Sequence, residues 1–250
     1  MSSGFKDHFS GIAASYAAHR PTYPAALIEF LARATPRHEV AWDCGCGSGQ
    51  LSVALASRFG RVIATDASAQ QIAAAEPHAG VEYRCAPAEA CGLEDRSVDL
   101  AVSAQAAHWF DLPAYYAEVR RVARPGAVLA LATYGNPLAG VARIDEVVDS
   151  FYSGPCGPHW PPERRHTEDG YRSFEFPFEE IEAPPLELRV EWDLAGFLGY
   201  VETWSAVRAL VKAEGRKRLE AFRRELGHAW GAEETVRAIR WPLTVRAGKI

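Results

Sequence analysis

The segment that most restricts this chain is Ala41-Trp42-Asp43-Cys44-Gly45-Cys46-Gly47-Ser48-Gly49-Gln50. Glu39-Val40-Ala41-Trp42 predicts a strand, which ends in an acid and runs straight into three alternating glycines. Glycine there permits positive φ and lets a ligand approach the main chain. From Ser48 the period changes, and Leu51, Leu55 and Phe59, four apart, predict a helix. A strand, a glycine turn and a helix open a nucleotide-binding α/β unit.

The downstream chain keeps alternating. Arg61–Asp66, Val81–Cys85, Ser97–Ser103 and Ala127–Ala132 read as strands, and Ala69–Ala75 and Leu112–Arg124 read as helices. Such alternation predicts a parallel, doubly wound sheet. Upstream, Asp7–His19 has helical spacing, then Arg20-Pro21-Thr22-Tyr23-Pro24 leads into a helix over Ala25–Ala34. Beyond residue 134 a helix is expected around Val141–Phe151, followed by irregular chain dense in proline, glycine and aromatics. Leu186–Trp192 alternates with period two, helices follow over Leu194–Val211 and Arg216–Trp230, and Ala238–Val245 closes the chain as a strand. Pro242 suggests a bulge or an edge there. The expected organisation is one domain over 1–250: N-terminal helices (1–38), a cofactor-binding core (39–134), a cap (135–185) and a part that completes the sheet (186–250).

Bulk properties exclude several classes. A chain of 250 residues with 48% hydrophobic and 24% charged residues can bury a sizeable core. Its net charge of −5 gives no field favouring nucleic acid or an anionic membrane. No apolar stretch nears the ~20 residues of a membrane span, and the N-terminus lacks a signal-peptide core, so a cytoplasmic enzyme is expected. Five cysteines without paired Cys-x-x-Cys units suggest neither a disulfide framework nor a metal site. The basic run Arg216-Lys217-Arg218 lies on a pattern with Leu219, Phe222 and Leu226 inward and glutamates interspersed, which reads as a solvated helix face.

Spacing selects the ligand. A dinucleotide fingerprint is Gly-x-Gly-x-x-Gly, with a pyrophosphate on the helix N-terminus. Here Gly49 comes one residue too early, and the charge of Asp43 would oppose a phosphate while attracting a cation. Asp66 ends the next strand 23 residues after Asp43, the interval at which an acid meets a ribose hydroxyl pair. Its carboxylate can accept from both hydroxyls; capping the next helix is the other role, which Ser68 already fills. Ala86 and Ala88 are small enough for a flat ring to lie against backbone, with Glu89 either at the ring's amine or capping. Gln105-Ala106-Ala107-His108-Trp109-Phe110 follows the fourth strand at its carboxyl end, where ligands of open parallel sheets sit.

These motifs together resemble class I S-adenosylmethionine-dependent methyltransferases, in the small-molecule branch that includes trans-aconitate methyltransferase. The likeness extends through Phe9…Tyr16…Arg20-Pro21-Thr22-Tyr23-Pro24, Asp43–Gly49, Asp66, Gln105–Phe110, Trp160-Pro161-Pro162-Glu163-Arg164-Arg165, Phe176-Pro177-Phe178 and Tyr200…Thr203-Trp204-Ser205. Cys46 departs from the family's turn at a position where the backbone makes the contacts. The resemblance implies a seven-stranded, mostly parallel Rossmann-like sheet, its last strand antiparallel and formed by a hairpin of strands six and seven, with S-adenosylmethionine as methyl donor. It places Asp43, Gly45, Cys46, Gly47, Gly49, Asp66, Ala67, Ala88, Glu89, Gln105, Tyr16 and Arg20 at the cofactor. Trp109, Trp160, Arg164, Tyr200 and Trp204 fall at the acceptor, with no metal.

The expected reaction is SN2 methyl transfer to a small acceptor, in which the protein supplies proximity and excludes water. His108 is the candidate general base, or else a residue that shapes the acceptor pocket. A carboxylate acceptor needs no base, only cations such as Arg20, Arg164 or Arg165. The partner is then a small-molecule methyl acceptor, for a monomer or homodimer without nucleic acid or membrane. Two other classes stay open: a non-catalytic S-adenosylmethionine-binding protein and an NAD-dependent oxidoreductase, the latter disfavoured by Asp43 and the glycine spacing.

Overall fold

The computed structural model describes residues 21–250, so Tyr16, Arg20 and the Asp7–His19 helix lie outside the described residues. Helix α1 (Ala25–Ala34) starts behind Pro24 and buries Leu27, Ile28, Phe30 and Leu31. The core alternates β1 (Val40–Cys44), α2 (Gln50–Leu55), β2 (Arg61–Asp66), α3 (Ala69–Ala73), β3 (Val81–Cys85), β4 (Val98–Ala104), α4 (Leu112–Val122) and β5 (Ala123–Tyr134). Later in the chain come β6 (Glu179–Ile181), β7 (Leu186–Trp192) and β8 (Arg237–Lys249), and among the described residues the sheet has eight strands, in the order β3-β2-β1-β4-β5-β8-β6, with β7 also paired to β8. The first five run parallel, and β8 (Arg237–Lys249) is antiparallel to β5 and to both its outer neighbours.

The expected hairpin of strands six and seven therefore takes a different form. The sixth strand is split into β6 (Glu179–Ile181) and β7 (Leu186–Trp192), which pair with opposite ends of the thirteen-residue β8. Pro184-Pro185 lies in the gap, and proline cannot donate to a ladder. Pro242 lies mid-strand opposite Glu187, one residue beyond the last β5 pair, Tyr134 with Leu243.

Side chains alternate across the sheet as a strand's period of two requires. Val128, Ala130 and Ala132 of β5 pack with α1, α2 and the later helices, whereas Leu129 and Leu131 pack with α4 on the other face. That first face also carries α5 (Ala142–Ser153), α7 (Leu194–Glu202), α8 (Ser205–Glu214) and α9 (Lys217–Trp230). One helix expected over Leu194–Val211 is two, because the Thr203 hydroxyl donates back to the Tyr200 carbonyl (2.6 Å) and Trp204 then turns to extended backbone. In α9 the basic residues pair with acids: Arg216 with Glu220, Arg218 with Glu214, and Arg223 with Glu202. Leu219, Phe222 and Leu226 face inward. No helix among the described residues is long and apolar enough to cross a membrane.

Candidate active site

The glycine turn sits between the carboxyl ends of β1 and β2. Gly45 and Cys46 N–H both donate to the Thr65 carbonyl (2.8 and 3.0 Å), which bends the chain sharply off β1. Gly45, Gly47 and Gly49 have φ of +71°, +55° and +87°, the left-handed region that glycine enters without strain. A Cβ on Gly45 would strike the Ala106 methyl, so the turn and the end of β4 are pressed together. At Gly47 the nearest atom to such a Cβ is Gln71 Oε1, 4.0 Å away, which leaves the main chain open on that side.

Asp66 joins the two loops. Its Oδ2 accepts from Gly47 N–H (2.9 Å) and its Oδ1 from Ser68 N–H (2.8 Å), while the Ser68 hydroxyl caps α3 by accepting from Gln71 N–H. A carboxylate offers about four acceptor positions, so these bonds are compatible with hydroxyl donors from a sugar. Asp43 is placed differently. It lies under the turn, 1% exposed, and accepts from the Ser52 hydroxyl at 2.6 Å. Burial, reinforced by the nearby Asp66, pushes its pKa up to about 7, whereas the Ser52 bond pulls the other way. Asp43 is thus only partly charged at neutral pH, a qualification to the cation argument made from spacing.

The small-residue edge holds Ala67, exposed beside Asp66, and Ala88, buried. Glu89 Oε1 accepts from Asp111 N–H (2.9 Å), at the start of α4. Cys46 is half-buried, its Sγ near the Gly47 carbonyl, and burial drives its thiol far above its ordinary pKa. All five cysteines are free thiols.

At the end of β4, Gln105 has φ +55° and an amide engaged at both ends. Its Nε2 donates to the Tyr134 carbonyl (2.9 Å), and its Oε1 accepts from the Thr133 hydroxyl (2.8 Å). Gln105 is therefore tied to β5. The turn Ala107–Trp109 then presents His108, whose Nδ1 lies 2.9 Å from the Tyr171 hydroxyl. Burial, helped by the Arg164 guanidinium and by the nearby His166, pulls His108 down to about 3, so its imidazole is neutral at physiological pH. Trp109 packs beside it, with ring centres 4.8 Å apart.

The cap supplies the opposite wall. Arg164, at the start of α6 (Arg164–Glu168), donates from Nε to the Tyr152 hydroxyl (2.9 Å) and lies 5.0 Å from the Trp160 ring centre. Tyr152 and Trp160 contact Arg164, and Trp204 and Tyr200 extend the same ring cluster, with centres 4.6 to 6.0 Å apart. The Tyr152 hydroxyl in turn donates to Glu168. Among the described residues Arg164 forms no ion pair. Arg165 is exposed and turns to His166, away from this cluster.

Comparison with known proteins identifies the chain. A family model described as a methyltransferase domain matches residues 42–131. A provisionally named methyltransferase of Dictyostelium discoideum is 34% identical over 229 residues, covering 90% of this chain and 87% of that protein. The chain belongs to the methyltransferase family. Its fold overlays that of a provisionally named type II methyltransferase from Anaeromyxobacter dehalogenans with a TM-score of 0.86 and 49% identity, over 92% of this chain and 97% of that one. A malonyl-[acyl-carrier protein] O-methyltransferase of Pectobacterium atrosepticum is 40% identical over 96 residues, 38% of each chain.

This methyltransferase depends on S-adenosylmethionine, which decides against the NAD-dependent and non-catalytic alternatives. The site fits that cofactor. Among the described residues the main chain is open at Gly47, a carboxylate ends β2, and Gln71 Oε1, buried beside the turn, has no donor. A ligand rich in hydroxyl and ammonium donors answers those features. Sequence reasoning missed Gln71, Thr133, Tyr152 and Tyr171. Tyr171 reaches His108 from 63 residues away, a pairing that no local pattern reveals.

Proposed function

We propose that the methyltransferase transfers its methyl group to a carboxylate oxygen of a small molecule, held between the Ala107–Trp109 turn and the cap. The observation that carries this reading is Arg164, a cation without an ion-pair partner among the described residues, lodged among aromatic rings and close enough to His108 to depress its basicity. A guanidinium there can grip a carboxylate through two parallel hydrogen bonds. A carboxylate is already deprotonated at neutral pH and needs no general base, which suits a histidine whose conjugate acid is too strong to serve as one. The aromatic walls exclude water from the ion pair and strengthen it.

When bound, S-adenosylmethionine supplies a methyl group already activated on a sulfonium. The Gly45–Gly49 backbone holds the methionine portion, Asp66 accepts from the ribose hydroxyls, and Ala67, Ala88 and Glu89 border the adenine. Asp43 lends negative charge from below. The chain's contribution to rate is then alignment and dehydration rather than proton transfer. The likeness to trans-aconitate methyltransferase, and a relative named for O-methylation of a malonyl group, make di- and tricarboxylic acids the first acceptors to try.

The test is acceptor-dependent formation of S-adenosylhomocysteine across carboxylic acids, phenols, alcohols and amines. Carboxylic acids should turn over and give base-labile methyl esters, and Arg164→Gln should abolish their advantage. Turnover confined to phenols or amines overturns the reading.

A further inference from the structure

The Tyr171–His108 pair is elaborate for a packing contact. Gly170 and Tyr171 both adopt positive φ (+66° and +60°), a conformation that strains an aromatic residue. Arg246 holds the strained loop in place, donating from Nη1 to the carbonyls of Tyr171 (3.0 Å) and Phe174 (2.8 Å). Phe174 stacks on the Tyr171 ring at 4.6 Å. The outcome is a fully buried phenol whose hydroxyl meets His108 Nδ1.

Proton accounting around that hydroxyl is restrictive. Gln105 Nε2 donates to the Tyr134 carbonyl, which fixes the amide so that Oε1 faces Thr133. An amide oxygen only accepts, so the Thr133 proton is committed to Gln105. Toward the Tyr171 hydroxyl, which it neighbours, Thr133 can then offer only an oxygen. The single phenolic proton therefore has two destinations, the Thr133 oxygen or His108 Nδ1. A neutral imidazole nitrogen is the stronger acceptor, and His108 Nδ1 is the acceptor within hydrogen-bond distance of this buried hydroxyl among the described residues, so the phenolic proton goes there. Among the described residues His108 Nε2 makes no hydrogen bond, and the residue is only partly buried, near Arg164.

We propose that Tyr171 is a positioning residue that fixes His108 as the Nε2–H tautomer, so that His108 presents a hydrogen-bond donor, not a base, to an oxygen of the acceptor. Together with Arg164 this gives the acceptor pocket two donors and selects a group carrying lone pairs. That the oxygen belongs to a carboxylate rests on the function proposed above; the tautomer does not.

Long-range ¹H–¹⁵N correlation spectra of the full chain saturated with S-adenosylhomocysteine at pH 7 test it, with His108→Asn assigning one imidazole among the eight histidines. His108 should show an unprotonated Nδ1 and a protonated Nε2, and excess acetate should shift the Nε2–H resonance. The opposite tautomer, or an Nε2–H that ignores acetate, overturns the proposal. Tyr171→Phe keeps the ring but should replace the single pattern by a tautomer mixture; an unchanged pattern removes the positioning role. Thr133→Val covers the case in which Tyr171→Phe does not fold. It should leave the tautomer as in the wild type, and a switch would show that the phenolic proton had been going to Thr133. Carboxylic acids could fail as methyl acceptors while these spectra come out as expected, so the two proposals fail separately.

Discussion

The two halves of the proposed active site, one for the cofactor and one for the acceptor, are built from opposite materials. The cofactor half is main chain and small residues: three glycines with positive φ, two alanines, and Asp66 holding two backbone N–H groups at the ends of parallel strands. The acceptor half is bulky side chain, with Tyr152 and Trp160 against one arginine, Trp204 and Tyr200 continuing that ring cluster, and Tyr171 brought to His108 by a strained loop. The first half tolerates no added Cβ at Gly45 or Gly49. The second can be reshaped one side chain at a time, which suits a family that keeps one methyl donor and varies what it methylates.

That contrast is broken most directly at Gly45. Gly45→Val places a branched side chain at φ +71° against the Ala106 methyl, and should cost roughly 3 kcal/mol or more of stability and abolish S-adenosylmethionine binding. Calorimetric titration and thermal unfolding check both. Trp160→Ala, in the other half, should leave the cofactor Kd within about threefold while cutting turnover.

Next in size is the division of labour between two charged residues. Asp66→Ala should weaken S-adenosylmethionine roughly 100-fold by losing charge-assisted hydrogen bonds. Arg164→Gln should instead raise the acceptor KM roughly 10- to 100-fold at unchanged cofactor Kd. If either substitution moved both constants equally, the halves would not be separable.

A smaller effect is expected from pH. Asp43 has a folded pKa of about 7, above its ordinary 3.8, so it gains charge as pH rises through 7 and a cationic cofactor should bind about tenfold tighter at pH 8 than at pH 6. Asp43→Asn should flatten that profile. The stability effect has the opposite sign. A raised folded pKa contributes stability below pH 3.8 that is lost as pH rises through 7, so the asparagine variant without cofactor should melt higher than wild type at pH 8 and no higher at pH 5. His108, at about 3, should add no inflection between pH 5 and 9. Smallest of all, Arg218→Ala breaks an exposed pair with Glu214 in α9 and should shift stability by no more than about 0.5 kcal/mol, with both binding constants intact.

Legibility in the sequence follows the same division. The bounds of β2, β3 and α1 are readable to the residue because periodicity, caps and turn glycines are local signals. Asp66 is readable because a βαβ unit fixes the interval from one strand end to the next. Burial changes what the sequence says of Asp43, whose depth under the turn depends on Ser52 and the whole of β1. The partners of Gln105, the Tyr171–His108 contact and the division of the sixth strand escaped, since each depends on contacts between distant segments or on register along β8.

The position of β8 has a consequence for how the protein comes into being. This strand, which follows the other seven in the sequence, inserts between β5 and the β6–β7 edge, and its Arg246 grips the Tyr171 loop. The β1–β5 ladder precedes it in the chain, so on the ribosome the cofactor turn can assemble while the acceptor pocket still lacks its clasp. The proposed donor site is thus encoded ahead of the strand that secures the proposed acceptor pocket.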